Sequence, residues 1–214
     1  SSFPNAEQSA VIEAVRDSLL VLAPMGTGKT RTAAAAVRRA IESGIEAERI
    51  LGLTFTNRSA EAMRVAVAEA LPEESHRVHL FNLHGLCARL LRQEGRLADL
   101  PPDFGILDED ESKELLWEFV PRVDRVERYN DKPIEALNAY EKFVFDFLAG
   151  GDPARPKNRD PAAMPSAFRM YRDALHRDGN VDFTGLIART HYLFQKHPDA
   201  RERWQARYAW ILVD

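Results

Sequence analysis

The run Ala23-Pro24-Met25-Gly26-Thr27-Gly28-Lys29-Thr30 constrains this chain more than any other segment. It follows a continuous apolar stretch, Ser18 to Ala23, that reads as a buried parallel strand. It precedes a helix expected from about Thr30 to Ser43, with Gly44 as the C-cap. Strand, glycine loop and helix together form the setting in which backbone N–H groups turn inward around phosphate oxygens. The helix N-terminus adds unsatisfied donors and partial positive charge. Lys29 is expected to set a point charge against the β- and γ-phosphates of a nucleotide, and the Thr30 hydroxyl to ligate Mg²⁺. The strict pattern has Gly where Ala23 stands, so an ordinary glycine-containing turn is the competing reading. A loop of this kind also needs an acidic residue at the end of a neighbouring apolar strand to hold Mg²⁺. Trp210-Ile211-Leu212-Val213-Asp214 has that form, although a strand-end Asp can also simply cap the next turn.

Further elements repeat the strand–helix alternation. Asn5 to Arg16 reads as a helix with Asn5 as N-cap and Gln8 three residues on. Ile50 to Phe55 is a second buried strand, and Asn57 to Leu71 a helix capped by Asn57 and stopped before Pro72. Val78 to Phe81 is a short strand, followed by a helix over Leu83 to Gln93. The pattern predicts an α/β fold, a parallel sheet with crossover helices. Beyond about residue 94 helices dominate, over Glu109 to Phe119, Ile134 to Leu148, Ala162 to Leu175 and Phe183 to Phe194, with a Pro- and Gly-rich loop at Gly150 to Pro161. Tyr208 to Val213 returns to a strand-like run. The expected organisation is an α/β domain over 1–93, a mostly helical inserted subdomain over 94–195, and a return to the first domain over 196–214. A chain stopping directly at the end of an interior strand is expected of a piece of a longer protein.

Composition narrows the class. With 45% hydrophobic and 29% charged residues the chain reads as an ordinary globular one. No stretch approaches the roughly 18 to 20 apolar residues that span a bilayer, and no basic-then-apolar leader opens the sequence, so a cytoplasmic protein without membrane contact is expected. The single cysteine, Cys87, sits among apolar neighbours and reads as a small buried hydrophobe. A net charge of −4 means that any nucleic-acid contact must be made by a local strip.

In order and spacing, these segments resemble UvrD/Rep-type superfamily 1 DNA helicases. Asn5-Ala6-Glu7-Gln8 looks like the family's glutamine motif, which implies that Gln8 reads an adenine edge; Asn-x-x-Gln is equally a helix capping box. The phosphate loop matches the family's form, in which Ala is common at the first position, and Arg31 resembles a residue placed near the nucleotide, or a solvent-facing helix arginine. The resemblance thus implies ATP binding by Gln8, Ala23, Pro24, Met25, Gly26, Thr27, Gly28, Lys29, Thr30 and Arg31, catalytic roles for Lys29 and Asp214, and Mg²⁺ ligation by Thr30 and Asp214. Leu53-Thr54-Phe55-Thr56-Asn57-Arg58-Ser59-Ala60-Glu61-Ala62-Met63-Arg64 is similar to the segment that grips single-stranded DNA. Phe55 can present its ring to a base, and Thr56, Asn57 and Arg58 can reach phosphates at a helix start; alternatively Phe55 is core and Asn57 only a cap. Phe81-Asn82-Leu83-His84-Gly85 resembles the next DNA-contacting motif, which carries over His84. The family usually has Thr where Asn82 stands, Phe or Ile where Leu83 stands and Ser where Gly85 stands. Asp103 to Asp108 and Val181 to Ile187 resemble the segments that lead into and out of the family's helical insertion, with Asp182 as a helix cap.

The resemblance implies a partial RecA-like domain of an ATP-dependent 3′–5′ helicase or translocase acting in DNA repair or recombination, with ATP and Mg²⁺ as cofactors and single-stranded DNA and single/double-strand junctions as partners. In the family a Glu follows the Mg²⁺-binding Asp and arginines come from a second motor domain. Neither lies within these residues, so this chain alone is expected to have little or no ATPase activity. Two other classes carry a phosphate loop: a phosphotransferase, in which the Leu53 to Arg64 segment has no place, and a non-catalytic nucleotide-dependent binding module, against which Lys29, Thr30 and Asp214 count.

Overall fold

The computed structural model describes residues 3–24, 26–123, 126–149 and 164–214. They form two compact units, Ser1–Leu86 with Glu202–Asp214, and Cys87–Arg201. In chain order the first stretch runs α1 (Ala6–Glu13), α2 (Lys29–Glu42), β1 (Ile50–Thr54), α3 (Asn57–Ala70), β2 (His79–Asn82) and α4 (Leu83–Glu94). Then come β3 (Gly105–Leu107), α5 (Glu109–Val123), α6 (Pro133–Leu148), α7 (Ser166–Arg177), β4 (Asn180–Asp182), α8 (Phe183–Lys196), α9 (Pro198–Arg207) and β5 (Trp210–Val213).

In the first unit the strands lie in the order β2-β1-β5, and both pairings are parallel. Thr54 stands opposite Asn82, and Leu53 opposite Val213, so all three strands end together at one edge of the sheet. The backbone N–H of Asp214 donates to the Leu53 carbonyl at 2.8 Å and extends the ladder by one residue. Packing against the sheet follows from helical spacing. Ala34, Val37 and Ala40 of α2 and Met63 and Val67 of α3 are buried together with Ile50 and Leu80. Trp210 closes this core through its indole N–H, which donates to the Val15 carbonyl at 2.9 Å.

The expected strand over Ser18 to Ala23 does not form. The run pairs with no strand among the described residues, and Leu20 and Leu22 are each 86% exposed. An apolar run becomes a strand only where its ladder hydrogen bonds are made, and this run pairs with neither edge strand of the three-stranded sheet. Sheet edge β5 likewise leaves Ile211 and Val213 exposed. Thr56, rather than Asn57, is the N-cap of α3, because its hydroxyl accepts from the Ser59 N–H. The N-terminal helix ends at Glu13, three residues short of the expected Arg16, and α5 runs on to Val123, past the expected Phe119.

The second unit is built on α5, α6 and α7. Tyr140 packs edge-on to Phe168 and to Tyr171, with ring centroids 5.5 Å and 5.1 Å apart. Two short strands escaped the sequence reading: β3 and β4 form a parallel ladder pairing Gly105 with Asn180 and Leu107 with Asp182. A Cβ on Gly105 would meet the Asn180 side-chain amide, which would have to move aside. Helix α9 is also additional, and the Gly150 to Pro161 loop lies outside the described residues. Among the described residues no helix is long and apolar enough to cross a membrane. Cys87 is buried, and burial pushes its thiol above the ordinary range.

Candidate functional site

The phosphate loop is shaped by its glycines. Gly26 and Gly28 have φ of +79° and +84°, in the left-handed region that side chains disfavour, and α2 begins at Lys29 directly after Gly28. Gly28 is the N-cap and supplies no capping side chain, so the first N–H groups of α2 are not used by a cap. Within the loop the Thr27 hydroxyl donates to the Pro24 carbonyl at 2.8 Å. The Lys29 ammonium donates to the Ala23 and Pro24 carbonyls at 3.2 and 3.0 Å and so lies along the loop it would serve. Met25 lies outside the described residues.

Gln8 completes the capping box and also reaches the phosphate loop. Its Oε1 accepts from the Asn5 N–H at 2.9 Å while Asn5 Oδ1 accepts from the Gln8 N–H at 2.8 Å, a complete capping box. Its Nε2 donates to the Thr27 carbonyl at 3.0 Å, which ties α1 to the phosphate loop. Arg31 is exposed, and its guanidinium sits over the Phe3 ring, 4.0 Å from the centroid. Thr30 is half-buried in the first turn of α2.

The second group of residues gathers where the strands end. Phe55 follows β1 and is 81% exposed, so it is not a core residue. Thr56 caps α3, and Asn57 and Arg58 open the helix with exposed side chains. Across the ladder Asn82 ends β2, and His84 lies in the first turn of α4. Burial holds the His84 imidazole below its ordinary range, so the ring is neutral near pH 7. Asn82, which the sequence marked only as a departure from the family pattern, links the two helix starts: its Nδ2 donates to Asn57 Oδ1 and its Oδ1 accepts from the Gly85 N–H, both at 2.7 Å. Asp214 follows β5 at the same edge and is exposed. In open α/β sheets the carboxyl ends of the strands are where ligands bind.

Among the described residues no group of three or more His, Cys, Asp or Glu is placed to hold a metal ion. Thr30 and Asp214 offer oxygen donors only, a hard and sparse set that suits Mg²⁺ sharing its shell with water and phosphate. In the second unit Asp182 caps α8 and accepts from the Tyr171 hydroxyl at 2.8 Å; it is buried, and the cap and the hydroxyl occupy both of its oxygens.

A parallel sheet, crossover helices and a glycine loop opening a helix define the first unit as a partial RecA-like α/β domain. The UvrD/REP helicase N-terminal domain family matches residues 4–214, and the chain belongs to that family. It is 26% identical to the ATP-dependent DNA helicase PcrA of Staphylococcus epidermidis, over 98% of this chain and 29% of the relative. It is 29% identical to the PcrA of Leuconostoc citreum, over 98% of this chain and 28% of that protein. With DNA helicase II of Escherichia coli K12 it shares 28% identity, over 98% of this chain and 29% of the relative. The chain therefore spans under a third of the length of the curated relatives it matches.

Proposed function

We propose that this chain supplies the ATP-binding and single-stranded-DNA-binding part of an ATP-dependent 3′–5′ DNA helicase or translocase of the repair or recombination type. The observation that carries the proposal is the convergence of Phe55, Asn57, Arg58, His84 and Asp214 on the carboxyl edge of one parallel sheet. In this reading the nucleotide phosphates sit against the N–H groups of the glycine loop and the start of α2. Lys29 turns from the loop carbonyls to the β- and γ-phosphates, Gln8 reads the adenine edge, Arg31 lies near the nucleotide, and Thr30 and Asp214 would hold Mg²⁺, which would neutralise charge on the phosphates. The single strand crosses the neighbouring strand ends. Phe55 offers a face for a base to stack on, Thr56, Asn57 and Arg58 hold phosphates, and the neutral His84 contributes a hydrogen bond rather than a charge.

Residues 94–195 form the helical insertion in this scheme, and a second motor domain supplies the transition-state arginines. The 214 residues alone then turn ATP over slowly or not at all. The protein works in the cytoplasm at single/double-strand junctions. A phosphotransferase would have no use for an exposed Phe55 at the strand edge.

ATP hydrolysis by the full-length protein, with and without single-stranded DNA, tests the proposal. Strong stimulation by DNA that vanishes in Lys29→Ala is expected. Turnover indifferent to DNA removes the helicase reading, and turnover unchanged by Lys29→Ala removes the phosphate-loop assignment.

A further inference from the structure

We propose that Asn82 is a positioning residue that fixes which way the Asn57 amide faces, so that the strand-binding edge presents a hydrogen-bond donor. The proposal rests on the single-strand reading of this edge. Its logic is that of a relay of amides. A side chain that caps a helix must use an acceptor, and Asn82 Oδ1 accepts from the Gly85 N–H at the start of α4. That contact turns the NH₂ group of Asn82 toward the neighbouring loop. The group it meets must therefore be an acceptor, and Asn57 turns its Oδ1 toward it at 2.7 Å. With that oxygen engaged, the outward offer of Asn57 is its own NH₂. Phosphate oxygens accept and never donate, so this is the orientation in which an exposed asparagine at a helix start binds a nucleic-acid backbone.

One departure from the family's usual pattern carries the device. Thr at position 82 could cap α4 but has no amide to pass on, whereas Asn can do both. The bond joins loops 25 residues apart in sequence and ties the starts of α3 and α4 into one surface.

The test is a double-mutant cycle on the full-length protein, read by anisotropy of a fluorescent oligo(dT). Asn82→Ser and Asn82→Thr keep a capping oxygen and lose the amide. Each is expected to bind roughly twofold to tenfold more weakly than the wild type, the range of one hydrogen bond, with an unchanged melting temperature. In an Asn57→Ala background the same substitutions are expected to change nothing further. A loss of equal size in both backgrounds means that Asn82 acts by itself and overturns the relay, as does wild-type binding by both variants while Phe55→Ala binds weakly. If neither Phe55→Ala nor Asn57→Ala alters oligo(dT) affinity, the strand-binding reading fails and takes the relay with it. Should Asn82→Ser melt early, Asn82→Thr, with the residue the family usually carries there, decides alone.

Discussion

The placement of Phe55 is not explained by folding alone. A large aromatic side chain gains free energy by burial, and this one is 81% exposed at a strand end. Exposed aromatics at loop starts serve as stacking platforms. Phe55→Ala is expected to weaken single-strand binding by about 1 to 3 kcal/mol, while the melting temperature stays close to the wild-type value; anisotropy and thermal melts of the same samples check both. His84 and Arg58 should separate by salt rather than by affinity. The imidazole is neutral because burial lowers its pKa, so His84→Ala is expected to weaken binding equally at every salt concentration. Arg58→Ala removes a cation, and the slope of log affinity against log salt should become shallower by about 0.7, the increment for one phosphate contact on a single strand. Titration at several salt concentrations distinguishes the two.

At the scale of elements, the helix starts that carry the proposed site depend on their caps. Thr56 caps α3 through its hydroxyl, which accepts from the Ser59 N–H at 3.0 Å. Thr56→Ala is expected to cost about 1 kcal/mol of stability, and Thr56→Ser to recover most of it, in urea unfolding. Elements held by local bonds were readable in advance, apart from the cap of α3, which Thr56 rather than Asn57 supplies. The Asn5 and Gln8 capping box, the start of α2 and the Asp182 cap of α8 each close within three or four residues. Elements held by distant partners were not. The Ser18 to Ala23 run has the composition of a strand and no ladder, whereas β3 and β4, three residues each, become strands only by pairing with one another.

At the scale of the molecule, each unit has its own core, and in the second a carboxyl lies among aromatics. Burial raises the Asp182 pKa, while bonds from the Tyr171 hydroxyl and the Gly185 N–H pull it back. Glu141 is raised as well, by its own burial. An acid with a raised folded pKa holds its proton more tightly in the folded state. Stability is therefore greatest below the unfolded pKa and falls as pH rises toward the folded one. Thermal unfolding of wild type and Asp182→Asn from about pH 4 upward is expected to show the wild type losing stability relative to the variant, then a constant difference. A difference that does not change with pH would mean that Asp182 keeps an ordinary pKa.

The sequence by itself determined much of what depends on neighbours along the chain: the glycine loop before Lys29, the capping pairs of α1 and α8, the apolar faces of α2 and α3, and the motif order that marked the family. Tertiary structure alone decided the strand order β2-β1-β5, the exposure of Phe55 and the amide bond from Asn82 to Asn57. The physical reason is range. Helical bonds and caps join residues three or four apart and leave their periodicity in the sequence, whereas the β1–β5 ladder joins Ile50 to Trp210 through backbone groups that every residue carries.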